Sequence, residues 1–402
     1  MFPRCLGLAL LFTALASADT FVVLPFANVS KNAPANINWV GESIAETLRE
    51  TLAAGEAIAL DRDEREEAYK QLGIKQNVLL TRASMIKIAG ALEADQIVYG
   101  EFELTPLPPP PPGSTAVAAV RGSLRISAHV LDLKRMHQGP EFSEQGALED
   151  LASLQMRLAW RTLHFVRGSR APSEADFQAA HPPVRLDALE SFIRGLLTTS
   201  KDQKLRFLSQ AVRLDPGFSP PVFRLGLFYY DQQEFRPASE WFAKVKHSDA
   251  HYRESVFLLG VSRFSLGDFA EAQACFEQLA KDLPLASVIN NVGACQARRN
   301  LPEALSTLDR AIEADPGDPS AQFNAALVLW KQSEFDKAAA HLKEILDRDA
   351  SDIEAKQLLE RCEKRNGPRP REHVEFQERL KPEYEEAAYL QLKSVLQSNG
   401  KP

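Results

Sequence analysis

Gly226 and Gly260 stand 34 residues apart, and Gly293 follows 33 later. Ala238, Ala272, Ala304 and Ala338 keep nearly the same step, and Phe242, Phe276, Leu308 and Leu342 each come four residues after one of them. A period of this size is one supersecondary unit, too small to bury its own apolar face, so the units must stack into a continuous solenoid. The spacing within each unit is that of a helix pair. Small residues sit where one helix approaches the other closely, and a large apolar residue fills the gap one turn on. The stretches "LDPGF", "KDLPL" and "ADPGD" close units with a proline, through which a helix does not continue. The pattern runs from about Leu186 to Ala350, and residues 352–364 read as a helix capping the last exposed face.

"VFRLGLFYYDQQEFRPASEWFAKV" and "VFLLGVSRFSLGDFAEAQACFEQLAKDLP" resemble the tetratricopeptide repeat at almost every signature position. On this resemblance the solenoid holds about five repeats, the first shortened between its helices. The family implies that the first helix of each pair lines a concave groove. Carrying those positions over places Phe192, Phe223, Tyr230, Phe257, Phe264, Asn290, Phe323 and Trp330 there. Such a face suits an extended or helical peptide with apolar anchors. Two alternatives stay open: plain packing between repeats, or cover by the chain's own polar tail (residues 367–402). In that tail, "REHVEFQERLKPEYEEAAYLQLKSVLQ" reads as a helix broken near Pro382, and Tyr384, Tyr389, Leu390 and Val395 give it an apolar side. The Lys/Arg/Asn set with which some family members clamp a peptide carboxyl terminus is not reproduced; Arg263, Arg298 and Lys331 are scattered.

The amino-terminal part has a different grammar. "FVVLPFANVSKNAPANINWVGESIAETLRETL" reads strand, loop, helix, with Val40, Ile44, Leu48 and Leu52 as one stripe and Asn38 as a cap. A phosphate cradle needs glycines so that backbone amides can approach the anion. The loop from Ala27 to Asn38 has none, and the chain contains neither GxGxxG nor GxxxxGK[ST]. Strands are expected over residues 57–60, 96–104 and 123–133, and helices over 61–72, 82–92 and 147–166. A polyproline spacer, "TPLPPPPPGST", interrupts them. Leu24-Pro25-Phe26, the stretch from Trp39 to Leu48, Ala94 to Gly100 and Arg125 to Asp132 together resemble the TolB amino-terminal domain and its FlgO-like relatives. The match departs at the polyproline insert and at "DLKRMHQGPEF". It implies a mixed α/β envelope domain that binds proteins and does not catalyse.

The expected fold class is therefore α+β, a mixed α/β domain followed by an all-α solenoid. The domain spans residues 19–167, a linker that reads as flexible spans 168–185, and the solenoid with its cap spans 186–366. Ahead of them, Arg4, an apolar run from Leu6 to Leu15 and Ala16-Ser17-Ala18 form a secretory leader with cleavage expected after Ala18, which points to a periplasmic or secreted protein. A net charge of −7 offers no basic excess for nucleic acid. No stretch after the leader reaches transmembrane length.

No GxSxG elbow or HExxH motif is present, so no catalytic residue, cofactor or metal is expected. His247 and His251 have i, i+4 spacing, but they fall at a repeat junction. Cys275 and Cys295 read either as a pair or as small buried apolar residues. The resulting expectation is a non-enzymatic scaffold with a protein or peptide partner in the bacterial envelope. The alternative is a ligand-sensing or regulatory subunit whose α/β domain takes a small molecule or glycan near the Ala27 to Asn38 loop.

Overall fold

The computed structural model describes residues 19–31, 37–75, 79–107, 121–282, 284–368 and 376–385, together with Ala388 and Leu390. The expected leader (residues 1–18), the prolines at 108–112, part of the loop after Ala27 (residues 32–36), and Tyr389 and Val395 of the tail lie outside them.

Phe21 and Val23 face one side of a sheet and Val22 and Leu24 the other, which is why this stretch is apolar at every position. The sheet contains β1 (Thr20–Val23), β2 (Ala27–Asn28), β3 (Ile58–Ala59), β4 (Gln96–Pro106), β5 (Gly122–Asp132), β6 (His137–Gln138) and β7 (Phe142–Ala147). Its order is β3-β1-β4-β5-β6; β2 also pairs with β4, and β7 with β5. The first three strands run parallel to their partners, whereas β5, β6 and β7 form antiparallel pairs.

Helices cover both faces. On one side α1 (Trp39–Ala54) and α4 (Leu151–Arg167) bury Ile44, Leu48, Leu154 and Leu158 against Leu124, Ile126 and Val130 of β5. On the other, α2 (Arg62–Gln71) and α3 (Arg82–Ala91) bring Tyr69, Ile88 and Ala89 to Ile97 and Leu131.

The motif residues of this unit converge on Phe26. A Cβ at Gly41 would lie 2.1 Å from the Phe26 carbonyl oxygen, and one at Gly100 would lie 2.4 Å from its ring. Only a residue without a side chain lets α1 close on the Phe26 backbone and β4 on its ring. Asn38 does not cap α1. Its backbone is helical, it makes no capping bond, and its Oδ1 accepts from Asn28 Nδ2 at 3.3 Å.

The stretch 168–185, expected as a flexible linker, carries α5 (Glu174–Ala180), whose Phe177 is buried. Five helix pairs follow: α6 (Leu186–Leu197) with α7 (Lys201–Leu214), α8 (Pro220–Tyr230) with α9 (Phe235–Phe242), α10 (Tyr252–Leu266) with α11 (Phe269–Asp282), α12 (Ala286–Arg298) with α13 (Ala304–Ala314), and α14 (Pro319–Lys331) with α15 (Phe335–Arg348). After them α16 (Ile353–Glu363) packs on α15.

The recurrent glycines have a steric cause. A Cβ at Gly226 would come within 2.5 Å of the Phe242 ring, and one at Gly260 within 2.8 Å of the Phe276 ring. The two halves share a core, since Ile44, Leu48 and Leu163 belong to the same buried cluster as Phe177, Phe192 and Phe218. No helix of the described residues is long and apolar enough to cross a membrane.

Candidate peptide-binding groove

The inner face of the solenoid is occupied by the chain's own tail. Asn324 on α14 donates from Nδ2 to the Arg379 carbonyl at 2.8 Å and accepts the Arg379 N–H at 2.7 Å. Asn291 on α12 treats Lys381 in the same way, at 3.0 and 2.8 Å. Asn290 adds a second donor to the Arg379 carbonyl at 3.0 Å and accepts from Asn324 at 2.9 Å. A side-chain amide that pairs with both backbone groups of one residue mimics a strand neighbour. Two of them, acting on alternate residues, hold a peptide extended and take no account of its side chains.

Side chains then fix the register. Glu378, whose side chain is only 1% exposed, lies 3.4 Å from Arg298 and 2.8 Å from Lys331. Arg379 spreads over the Phe323 ring at 3.8 Å and pairs with both oxygens of Asp352, at 2.7 and 2.8 Å, with Glu354 at 2.9 Å beside it. The fork geometry of guanidinium on carboxylate makes this a strong contact, and the Arg379 bond, ahead of the burial that opposes it, holds the Asp352 carboxyl below its ordinary range. Lys381 Nζ reaches Asp318 at 2.9 Å. Phe376 meets Trp330 edge-on at 5.7 Å, and Tyr384 packs on Phe257 at 5.6 Å. The tail therefore runs back along the groove, from α14 toward α10 and Tyr230 of α8, whose hydroxyl lies 3.5 Å from the Pro382 carbonyl. Residues 376–385 contain no helix.

The eight positions carried over from the repeat resemblance fall into groups. Tyr230, Phe257, Asn290, Phe323 and Trp330 touch the tail. Phe264 packs on Phe269. Phe192 and Phe223 are not groove residues. Phe192 lies in the core shared with the amino-terminal unit, edge-on to Phe218 at 5.2 Å, and Phe223 is stacked on His251 at 4.3 Å. The cause is local, because the α/β unit covers this end of the solenoid and turns its inner face into core.

Arg298 and Lys331, scattered in the sequence, converge on one internal glutamate side chain. Asn291 and Asn324 escaped the sequence reading. Their signal was a buried amide on an otherwise apolar helix, with Asn290 and Asn324 one 34-residue period apart.

A tetratricopeptide-repeat family model matches residues 254–285, and a second of the same description matches residues 296–353. The helical half carries tetratricopeptide repeats. Solved structures similar to this chain include YrrB, a TPR protein with an unusual peptide-binding site, 16% identical, covering 48% of this chain and 93% of that one at a TM-score of 0.33. MamA from Desulfovibrio magneticus RS-1 is 17% identical, with 40% and 92% covered and a TM-score of 0.36. The C-terminal part of a TPR repeat-containing protein from Cytophaga hutchinsonii is 14% identical, with 51% and 86% covered and a TM-score of 0.38. A search of curated proteins returns no match. Tetratricopeptide repeats generally mediate protein–protein interaction, and the fold is typically non-catalytic.

Where the repeats meet the α/β unit, a charged network is buried. Arg49 of α1 bonds Glu46 at 2.9 Å and Asp61 at 3.1 Å, and donates to His251 Nε2 at 3.3 Å. Arg224 of α8 reaches Glu46 at 3.4 Å. Burial alone would raise the Glu46 carboxyl, but Arg49, with Arg224 and Arg65 behind it, holds it far below the usual carboxylate range. His251 also takes Glu254 at 3.0 Å, so it serves this junction, and His247 packs on Tyr252. Among the described residues no group of three His, Cys, Asp or Glu is placed to hold a metal. Cys275, Cys295 and Cys362 are free and buried, and burial raises all three thiols, Cys362 to about 11.

Proposed function

We propose that this chain is a protein-interaction scaffold whose repeat groove takes an extended segment of a partner, and that its own tail occupies the groove until such a segment replaces it. The observation that carries this reading is the pairing of Asn291 and Asn324 with both backbone groups of Lys381 and Arg379. A partner held this way needs no more than an extended backbone, an acid for Arg298 and Lys331, and a base for Asp352 and Glu354. The resident tail makes the groove self-complementary and sets the affinity a competitor must exceed. The setting we propose is the bacterial envelope, reached through the leader and shared by proteins with the TolB-like domain that residues 19–167 resemble. No catalytic role enters this reading.

A labelled peptide of residues 376–390 tests it against the full chain and against a Glu378→Lys/Arg379→Glu chain, in which like charges face each other across the groove. The peptide is expected to bind the double variant and to be excluded from the wild type. Adding Asn291→Ala and Asn324→Ala to the double variant is expected to abolish binding. Equal binding to all three chains would place the site elsewhere. Phe257 and Phe323 are unsuitable for this test, because both are fully buried and truncating them would unsettle the repeats themselves.

A further inference from the structure

A second site shares no residue with the groove that holds the tail. A cleft of about 310 Å³ opens between α1 and α4 of the amino-terminal unit, α6, and the loops that lead into α8 and α10. That is the size of a pocket for a small organic molecule, and such pockets concentrate at domain interfaces. Its lining combines apolar residues, among them Met156, Val184, Phe192 and Phe218, with polar ones, among them Thr47, Glu50, Ser219 and Asp249.

On the polar side, Glu50 has no cation within hydrogen-bonding distance among the described residues. Glu46 is answered by Arg49 and Arg224. Glu50 has Arg49 at 3.8 Å, beyond hydrogen-bonding range, and Arg49 is already engaged with Glu46 and Asp61. Lys246, the cation among the lining residues, donates to the Gly217 carbonyl at 2.8 Å. Ser219 Oγ is buried and has no hydrogen-bond partner among the described residues. Burial first, then the charges of Glu46 and Asp249, lift the Glu50 carboxyl to about 7 against the pull of Arg49 and His251. A carboxylate in this position gains from any cation that reaches it.

We propose that this cleft binds a small organic cation, with an apolar body against Phe192 and Phe218 and a primary ammonium on the Glu50 carboxylate. An ammonium supplies three donors and no acceptor, which suits a wall of carboxylates and hydroxyls. A carboxylate ligand of the same shape meets Glu50 and Asp249 with like charge. A neutral alcohol keeps only the apolar contact. Because the walls come from both halves of the chain, the ligand raises the stability of their junction.

Phenethylamine, phenethyl alcohol and phenylacetate, added separately to the full chain, distinguish these cases by thermal shift and calorimetric titration. Phenethylamine is expected to raise the unfolding temperature saturably and the other two to leave it unchanged. Glu50→Gln is expected to weaken phenethylamine by about tenfold or more. Ala54→Trp, at an exposed rim position, is expected to block binding while the chain still unfolds cooperatively. No shift with phenethylamine at about 10 mM, weak even for so small a ligand, overturns the proposal. So does equal binding of all three probes, or an unchanged affinity in Glu50→Gln. None of these outcomes bears on the peptide groove, whose residues do not line this cleft.

Discussion

Asn324 holds Arg379 by its backbone, donating at 2.8 Å and accepting at 2.7 Å through a single side-chain amide that is fully buried. Asn324→Ala strips both bonds from Arg379 and leaves Asn290 as the one remaining donor to its carbonyl. Unmet backbone groups at a closed interface cost about 1–3 kcal/mol. Amide hydrogen exchange over residues 376–385 is therefore expected to quicken by about ten- to a hundredfold, with the outer helices α13 and α15 little changed. If exchange in the tail is unaltered, Asn324 is a packing residue and the amide pairing is not what holds the tail.

Glu378 is expected to couple to Lys331 more strongly than surface partners couple. Its side chain is 1% exposed and that of Lys331 28%, whereas the side chains of the Lys337–Glu334 pair, 3.4 Å apart, are 69% and 51% exposed. A double-mutant cycle of Glu378→Gln with Lys331→Met is expected to give a coupling of about 0.5–3 kcal/mol. The Lys337–Glu334 cycle is expected to give at most about 1 kcal/mol. Added salt is expected to erode the surface pair more. Equal couplings would mean that Glu378 contributes shape and not charge.

The solenoid was legible in the chain because its cause is periodic: the Gly226/Phe242 and Gly260/Phe276 contacts repeat at a fixed step, so composition at those positions is dictated by sterics. The sheet was legible for a similar reason at β1, buried on both faces, and at β5, whose alternate residues face α1 and α4. Strands β6 and β7 were not. Their residues are mostly exposed and polar, and Met136, just before β6, takes a left-handed backbone at φ 52° that nothing in its chemistry announces. The groove occupant was legible only as one of several open alternatives, because tail docking is set by partners about 55 to 90 residues away in sequence. Phe192 and Phe223 misled for the opposite reason. Repeat position predicts an inner face, but it does not say that another domain already covers it.

The junction itself is expected to depend on Arg49. Its side chain is 4% exposed, bonds Glu46 and Asp61 of its own unit, and reaches His251 of the repeat half. Arg49→Ala leaves Glu46 with Arg224 at 3.4 Å as its closest remaining cation. Removing one partner of a buried pair costs about 3–5 kcal/mol, whereas replacing both by apolar residues of similar volume costs far less. Urea unfolding of Arg49→Ala is expected to separate into two transitions, the α/β unit first. Arg49→Met/Glu46→Leu/Arg224→Met, which removes the two arginines together with the carboxylate they share, is expected to retain one transition. If both variants behave alike, the network contributes volume and not charge pairing.

Glu50 gives the junction a pH dependence opposite to that of Glu46. A carboxyl raised from 4.5 to about 7 binds its proton more tightly in the folded chain than in the unfolded one. Over that interval the folded state holds more protons, so stability is greatest below pH 4.5 and falls as pH rises toward and through 7. The loss attributable to Glu50 is at most about 3 kcal/mol. His251, held above its ordinary value by Glu254 against the effect of burial, adds a loss of the same sign as pH rises, so wild-type data alone do not isolate Glu50. Glu46, held low, contributes stability that is complete above about pH 4.5 and is lost as pH falls below that value. Glu50→Gln removes one titration and leaves the others. The difference in unfolding free energy between Glu50→Gln and wild type is expected to be smallest well below pH 4.5, to grow as pH rises, and to favour the variant by pH 8. A difference that does not vary with pH would show that Glu50 is ionised and compensated throughout, and would remove the uncompensated carboxylate from the cleft.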